Sequence, residues 1–165
     1  MQVKLLFSIA MVASLALIAS EGHAQAVGSS ARHEEINRLG SIVMPFDLSR
    51  TTHYFDDTPN GGIETITANM ADDREQVSLI REHLQKEARQ FGHGDFSDPM
   101  RIHGRDMPGA AVLASAGADL SIRYATVPGG ASITYVGHND RIAKAVHEWF
   151  AAQRSDHNAH MRMHQ

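Results

Sequence analysis

Residues 51–68 read TTHYFDDTPNGGIETITA, and the fold follows from how this stretch is read. Thr51 to Asp57 is enriched in threonine and aromatic side chains, as strands are. Thr58-Pro59-Asn60-Gly61-Gly62 is a dense turn signal and Ile63 to Ala68 resumes the strand pattern, so the whole predicts a β-hairpin. Asp72 or Asp73 then offers a helix cap. Val77, Ile80, Leu84, Ala88 and Phe91 follow at helical spacing on one face, until Gly92 stops the run.

The same order returns nearer the C-terminus. Leu120, Ile122 and Tyr124 alternate with small or polar residues, Val127-Pro128-Gly129-Gly130 turns the chain, and Ile133 and Tyr135 mark a fourth strand. Asn139 or Asp140 caps a last helix with Ile142, Val146, Trp149 and Gln153 on one face. Both turns contain proline and end in Gly-Gly, and both helices begin Asp-Arg, at Asp73-Arg74 and Asp140-Arg141. With a small gap, Ile80-Arg81-Glu82-His83-Leu84 matches Val146-His147-Glu148-Trp149-Phe150 in type. These recurrences predict a duplicated ββα unit in an α+β fold. Two main helices would cover one face of a four-stranded antiparallel sheet as a two-layer sandwich. Between the units, His93 to Met107 (HGDFSDPMRIHGRDM) reads as a glycine- and aspartate-rich connection, and Pro108 opens a short helix closing near Gly117.

Residues 1–26 have the form of a secretory signal peptide: Lys4, an apolar run from Leu5 to Ala19, and a small-residue exit with cleavage after Ala24 or Ala26. That run is shorter than the roughly 20 residues needed to span a bilayer, so the expectation is a periplasmic protein with no stable membrane anchor once the signal is removed. Residues 27–50 form a lead-in with a short helix from Ala31 to Leu39, stopped by Gly40. Residues 51–157 make the α+β domain, and 158–165 are a tail rich in histidine and methionine.

The 165 residues suit one domain with a real core. A net charge of -4 lacks the basic excess of a general nucleic-acid binder. The absence of cysteine removes disulfides, thiol nucleophiles and c-type haem attachment. No GxSxG elbow, Walker A loop or dinucleotide fingerprint is present. Histidine is the outlier at eleven residues, and it directs attention to metal chemistry.

Thr52-His53-Tyr54-Phe55, Gly61-Gly62, Ile80 to Leu84, Phe91 with Gly94-Asp95-Phe96-Ser97, Pro108-Gly109, and His147-Glu148-Trp149-Phe150 with Gln153 and Asp156-His157 form a recognisable set. Over about residues 33–157 the chain resembles a family of small exported bacterial proteins of unestablished activity. The resemblance implies export. Some members carry the label aspartate carbamoyltransferase, but a transcarbamoylase requires two α/β domains and a phosphate-binding loop between them. Leu48-Ser49-Arg50-Thr51-Thr52 is a faint echo of such a loop, and it leads into a predicted strand, not a helix N-terminus.

If the last helix continues, His157, His160 and His164 fall on one stripe with Met161 and Met163 beside them. Imidazoles suit zinc and copper, and thioethers favour Cu(I), so this set predicts a copper or zinc ion held by the tail. A solvated terminus that binds metal adventitiously fits the same residues. His93 and His103, with Asp95, Asp98, Asp106 and Met107, give the connection mixed donors, or ordinary turn chemistry. His53 and His83 border predicted core faces and read either as ligands or as hydrogen-bonded structural groups, while His147 lies off its helix's apolar face. Two functions therefore stand open: copper or zinc buffering, carriage or sensing through these ligands, and a non-catalytic envelope module that binds a protein or small ligand.

Overall fold

The computed structural model describes residues 18–157, with side chains from Ala31 onward. The chain divides into Met1–Arg32 and His33–Gln165, and everything from β1 onward belongs to the second unit. Helix α1 runs Ile18–Val43, further than the expected Ala31 to Leu39. It passes through Gly40 because Gly40 faces Leu48, whose Cδ1 would stand 3.1 Å from an added Cβ, so this glycine serves close packing and does not act as a stop. Among the described residues no helix is long and apolar enough to cross a membrane.

Strands β1 (Thr51–Thr58) and β2 (Gly61–Ala68) form the first hairpin, and β3 (Leu120–Val127) and β4 (Gly130–Gly137) the second. Each joins two eight-residue strands through a two-residue loop, Pro59-Asn60 in one and Pro128-Gly129 in the other. Gly129 sits at φ 74°, the left-handed position that follows proline in a type II turn. The hairpins join through β2 and β4 in the order β1-β2-β4-β3, all antiparallel, with Phe55, Glu64, Ile133 and Tyr124 in register across the sheet.

Helix α2 (Arg74–Gly92) starts at Asp73, whose carboxylate accepts from Gln76 N. Helix α5 (Asp140–His157) is capped by Asn139, which accepts from Ile142 N at 3.0 Å. The helices cross over: α2 lies chiefly on β3 and β4, and α5 chiefly on β1 and β2. Each unit's helix thus buries its apolar face on the other unit's hairpin, so the two repeats share one core. Paired bonds fasten the crossing. Arg81 on α2 donates to the carbonyls of Val127 and Gly130, and His147, its counterpart on α5, bonds Thr58 O at 2.8 Å at the matching turn. The duplication and the two-layer α+β sandwich are both present.

The core is aromatic at its centre, where Trp149 packs edge-on against Phe91, Phe96 and Tyr135, with its indole N–H on Met107 Sδ at 3.1 Å. Losing so buried a ring costs about 3–5 kcal/mol. The connection read as a loop contains helix α3 (Ser97–His103), followed by α4 (Ala110–Ala114). Asp95 accepts from Ser97 N and Phe96 stacks on Phe91 with centroids 4.6 Å apart, which together set the start of α3. Leu48–Arg50 is a single 3-10 turn running into β1, so it presents no helix N-terminus to a phosphate.

Candidate functional site

Between α2, α3, α5 and the sheet lies a cavity of about 40 Å³. That is room for an ion or a few waters, far below the roughly 300 Å³ at which organic-ligand pockets begin. His53 comes from β1, Glu64 from β2, His83 and Glu87 from α2, Asp98 and His103 from α3, and Gln153 and His157 from α5.

The crossover of the helices brings these groups together. His103 is buried and its Nδ1 meets Asp156 Oδ2 at 2.7 Å. His103 Nδ1–H donates to that carboxylate, which leaves its Nε2 to accept the hydrogen bond from His157 Nε2–H at 3.2 Å, with the two rings at 80°. His53 lies against His157 with centroids 5.3 Å apart, and its enclosed Nε2 has no partner. The ring of Phe46 packs against both His53 and His83, with centroids 5.9 and 5.5 Å away.

Electrostatics sorts these groups into neutral bases and neutral acids. Burial, reinforced by His83 and His103, pushes His53 down to about 4. Burial and then the neighbouring Lys86 take His83 to about 4, and burial with His53 and His103 holds His157 well below the usual imidazole value. Burial raises Glu64 to about 7 although it accepts from Tyr135 Oη at 2.8 Å. Burial, then a hydrogen bond with Asp98, lifts Glu87 to about 8. Glu87 Oε1 and Gln153 Oε1 are buried without a hydrogen bond; Lys86 Nζ stands 3.9 Å from the first, and leaving the second unsatisfied costs about 1–3 kcal/mol.

Of the predicted ligands, His103 and His157 meet. His93 does not join them: it is exposed at the end of α2 with Nδ1 on Arg89 O at 2.6 Å, and it borders a different hollow with Leu113. His160, Met161, Met163 and His164 lie outside the described residues. Met107 is taken up by the Trp149 indole, and Asp95 by the start of α3. His53 and His83 both reach the cavity, whereas His147 fastens a turn. Glu64 and Glu87 are not among the residues singled out from the sequence, and Gln153 and Asp156 enter there only through the helix face and the family resemblance, not as site residues. The available signal was Glu87, a charged residue in the buried stripe Gln76, Ile80, Leu84, Phe91, one turn after His83.

Two imidazole nitrogens on one tetrahedral zinc, each about 2.0–2.1 Å from the ion, stand roughly 3.3 Å apart. The His103–His157 separation matches that spacing, and Asp156 supplies the carboxylate that commonly orients a ligating histidine. Among the described residues, no group of three or more His, Cys, Asp or Glu side chains is placed to hold a metal ion. The chain matches no protein-family model, no curated protein and no solved structure.

Proposed function

We propose that this is a periplasmic protein that binds a copper- or zinc-class ion inside its core, with His103, His157 and His53 as nitrogen donors and Asp156 orienting His103. The observation that carries the reading is the facing pair of Nε2 atoms 3.2 Å apart, one of them on a ring fixed by a carboxylate. Low proton affinity at His53 and His157 keeps both rings neutral, the form that ligates, throughout the neutral range. His53, whose Nε2 is enclosed and unbonded, is the third donor nearest that pair.

The proposed ligand set is drawn from α3, α5 and β1, all within the domain. Buffering or carriage fits this arrangement better than catalysis, because the cavity has no room for an organic substrate beside the ion.

The test is metal titration of the mature chain, of a truncation ending after His157, and of His103→Ala and His157→Ala. One ion per chain is expected, retained by the truncation and weakened by at least tenfold in either histidine variant. Binding lost with the tail and indifferent to His103 would move the site to residues 158–165 and end this assignment.

A further inference from the structure

The cavity is walled by the sheet, by the two long helices, by Val43 and Met44, and by the seven-residue helix α3. The sheet and the long helices are the sandwich itself. Helix α3 is an addition to it, set between Gly94 at φ 77° and Gly104 at φ 98°. It is tied at both ends. His103 bonds Asp156 on α5, while Asp98 accepts from Lys86 Nζ at 2.7 Å and shares a hydrogen bond with Glu87, both on α2. Two carboxyl groups bond each other only while one of them holds a proton, so the Glu87–Asp98 link belongs to the protonated pair. Ionised, the pair sets two negative charges against one Lys86, whose Nζ already serves Asp98 and stands 3.9 Å from Glu87 Oε1.

We propose that α3 is a proton-operated gate on the cavity: the proton shared by Glu87 and Asp98 clasps it to α2, and loss of that proton releases residues 97–103 while the sandwich stays folded. The gate does not depend on what the cavity holds. The clasp is faced by His83 and Lys86 from α2, by Asp98 and, 4.0 Å from it, Arg101 from α3, by Glu64 from β2 and by Tyr135 from β4. Helix α5 turns uncharged Gln153 and neutral His157 to the same cavity. His83 is neutral above about 4, and burial holds the Tyr135 hydroxyl protonated well past its ordinary range. That leaves two carboxyls to change charge between pH 6.5 and 8: Glu87, raised to about 8 by burial and the bond with Asp98, and Glu64, raised to about 7 by burial. Once α3 loosens and water enters, Glu87 returns toward 4.5, so the open form binds fewer protons and opening grows with pH up to about 8. From pH 6.5 to 8 Glu87 alone multiplies the opening constant about 15-fold, and Glu64 adds at most about fourfold.

Amide hydrogen exchange, read by mass spectrometry on the metal-free mature chain and corrected for the intrinsic pH dependence of exchange, tests the gate. Peptides covering residues 97–103 are expected to exchange at least tenfold faster than those of β2 and β4, at a rate that about 1 M urea leaves unchanged, as a local opening does. Their opening should rise by about 15-fold or more between pH 6.5 and 8. Glu87→Gln, whose amide still donates to Asp98, should hold α3 closed and leave at most the fourfold response of Glu64. Asp98→Asn, which lets an ionised Glu87 accept a bond from the new amide, should flatten the response as well, and carries the test if Glu87→Gln does not fold. Exchange of residues 97–103 at the rate of the sheet, or a pH response that these substitutions leave unchanged, overturns the gate and leaves the metal reading where it stood.

Discussion

Metal-free protein should be most stable near pH 6.5 and should lose stability toward both pH 4 and pH 8. Folded His53 and His83 bind protons only below about 4, against 6.5 for the ordinary side chain. Between those values the unfolded chain holds more protons, so stability rises with pH by about 1.4 kcal/mol per unit for each group. His157 acts in the same direction. Glu87 and Glu64 keep their protons to about 8 and 7 when folded, against 4.5 ordinarily. Across that window the folded chain holds more protons, and stability falls as pH rises, by the same amount per unit for each carboxyl. Three imidazoles outweigh two carboxyls up to 6.5, and above it only the carboxyls act. From pH 6.5 to 8 the two together remove about 3 kcal/mol, of which Glu87 accounts for about 2. For a domain of this size that lowers Tm by roughly 6–12 °C. Scanning calorimetry of EDTA-treated protein at pH 5, 6.5 and 8 measures the curve, and Glu87→Gln should flatten its alkaline side. A Tm that holds level or climbs from 6.5 to 8, or a descent that Glu87→Gln leaves unchanged, would refute the buried, proton-holding cavity.

Three further outcomes follow from the geometry. Asp156→Ala should leave the fold intact and weaken metal binding by about 10–100-fold, because His103 loses the acceptor that fixes its ring; isothermal titration reads this directly. His147→Ala should cost about 1 kcal/mol in urea unfolding while leaving metal affinity unchanged, since its ring bonds only the Thr58 carbonyl at the turn; an affinity loss would place His147 in the site after all. Gly109→Ala should cost more than 2 kcal/mol, as φ 77° is left-handed and an added Cβ would lie 2.1 Å from Ala145 O. Gly92→Ala, with open space around it, should be neutral or stabilising by up to about 1 kcal/mol.

What could be read from the sequence was what local chemistry decides. Pro128-Gly129 makes its turn wherever it sits, and the spacing of Ile80, Leu84 and Phe91 makes an amphipathic helix regardless of what covers it. Helix α3 escaped because its start depends on Phe96 stacking on Phe91, a contact made by folding and invisible to periodicity in so short a segment. The site escaped for the same reason on a larger scale. Asp156 and His157 are neighbours in the chain, but their partner His103 lies more than fifty residues away, and nothing local announces that α3 will dock there. His53 and His83 were ambiguous singly, because a histidine beside a core reads the same whether it faces a backbone carbonyl or another imidazole.

The duplication explains where a site of this kind can arise. In two identical repeats, corresponding positions would carry the same apolar residues and the space between the helices would be filled. Here the repeats depart from each other in the positions that line the cavity. His53 on β1 corresponds to Ile122 on β3, Glu64 on β2 to Ile133 on β4, His83 on α2 to Trp149 on α5, and Phe91 to His157. Trp149, Ile133 and Phe91 fill one half of the core, and at the corresponding places the other half carries His83, Glu64 and His157. Glu87 and Gln153 are the exception: both are polar, both are buried, and each has one side-chain oxygen without a hydrogen bond. Since the crossed packing lets the aromatic half stabilise the whole sheet, the other half can tolerate buried polar groups, a cost that the proposed ion would offset on binding. Metal should therefore raise stability far more than a surface-bound ion would, and the rise should vanish in His157→Ala although the aromatic half is untouched.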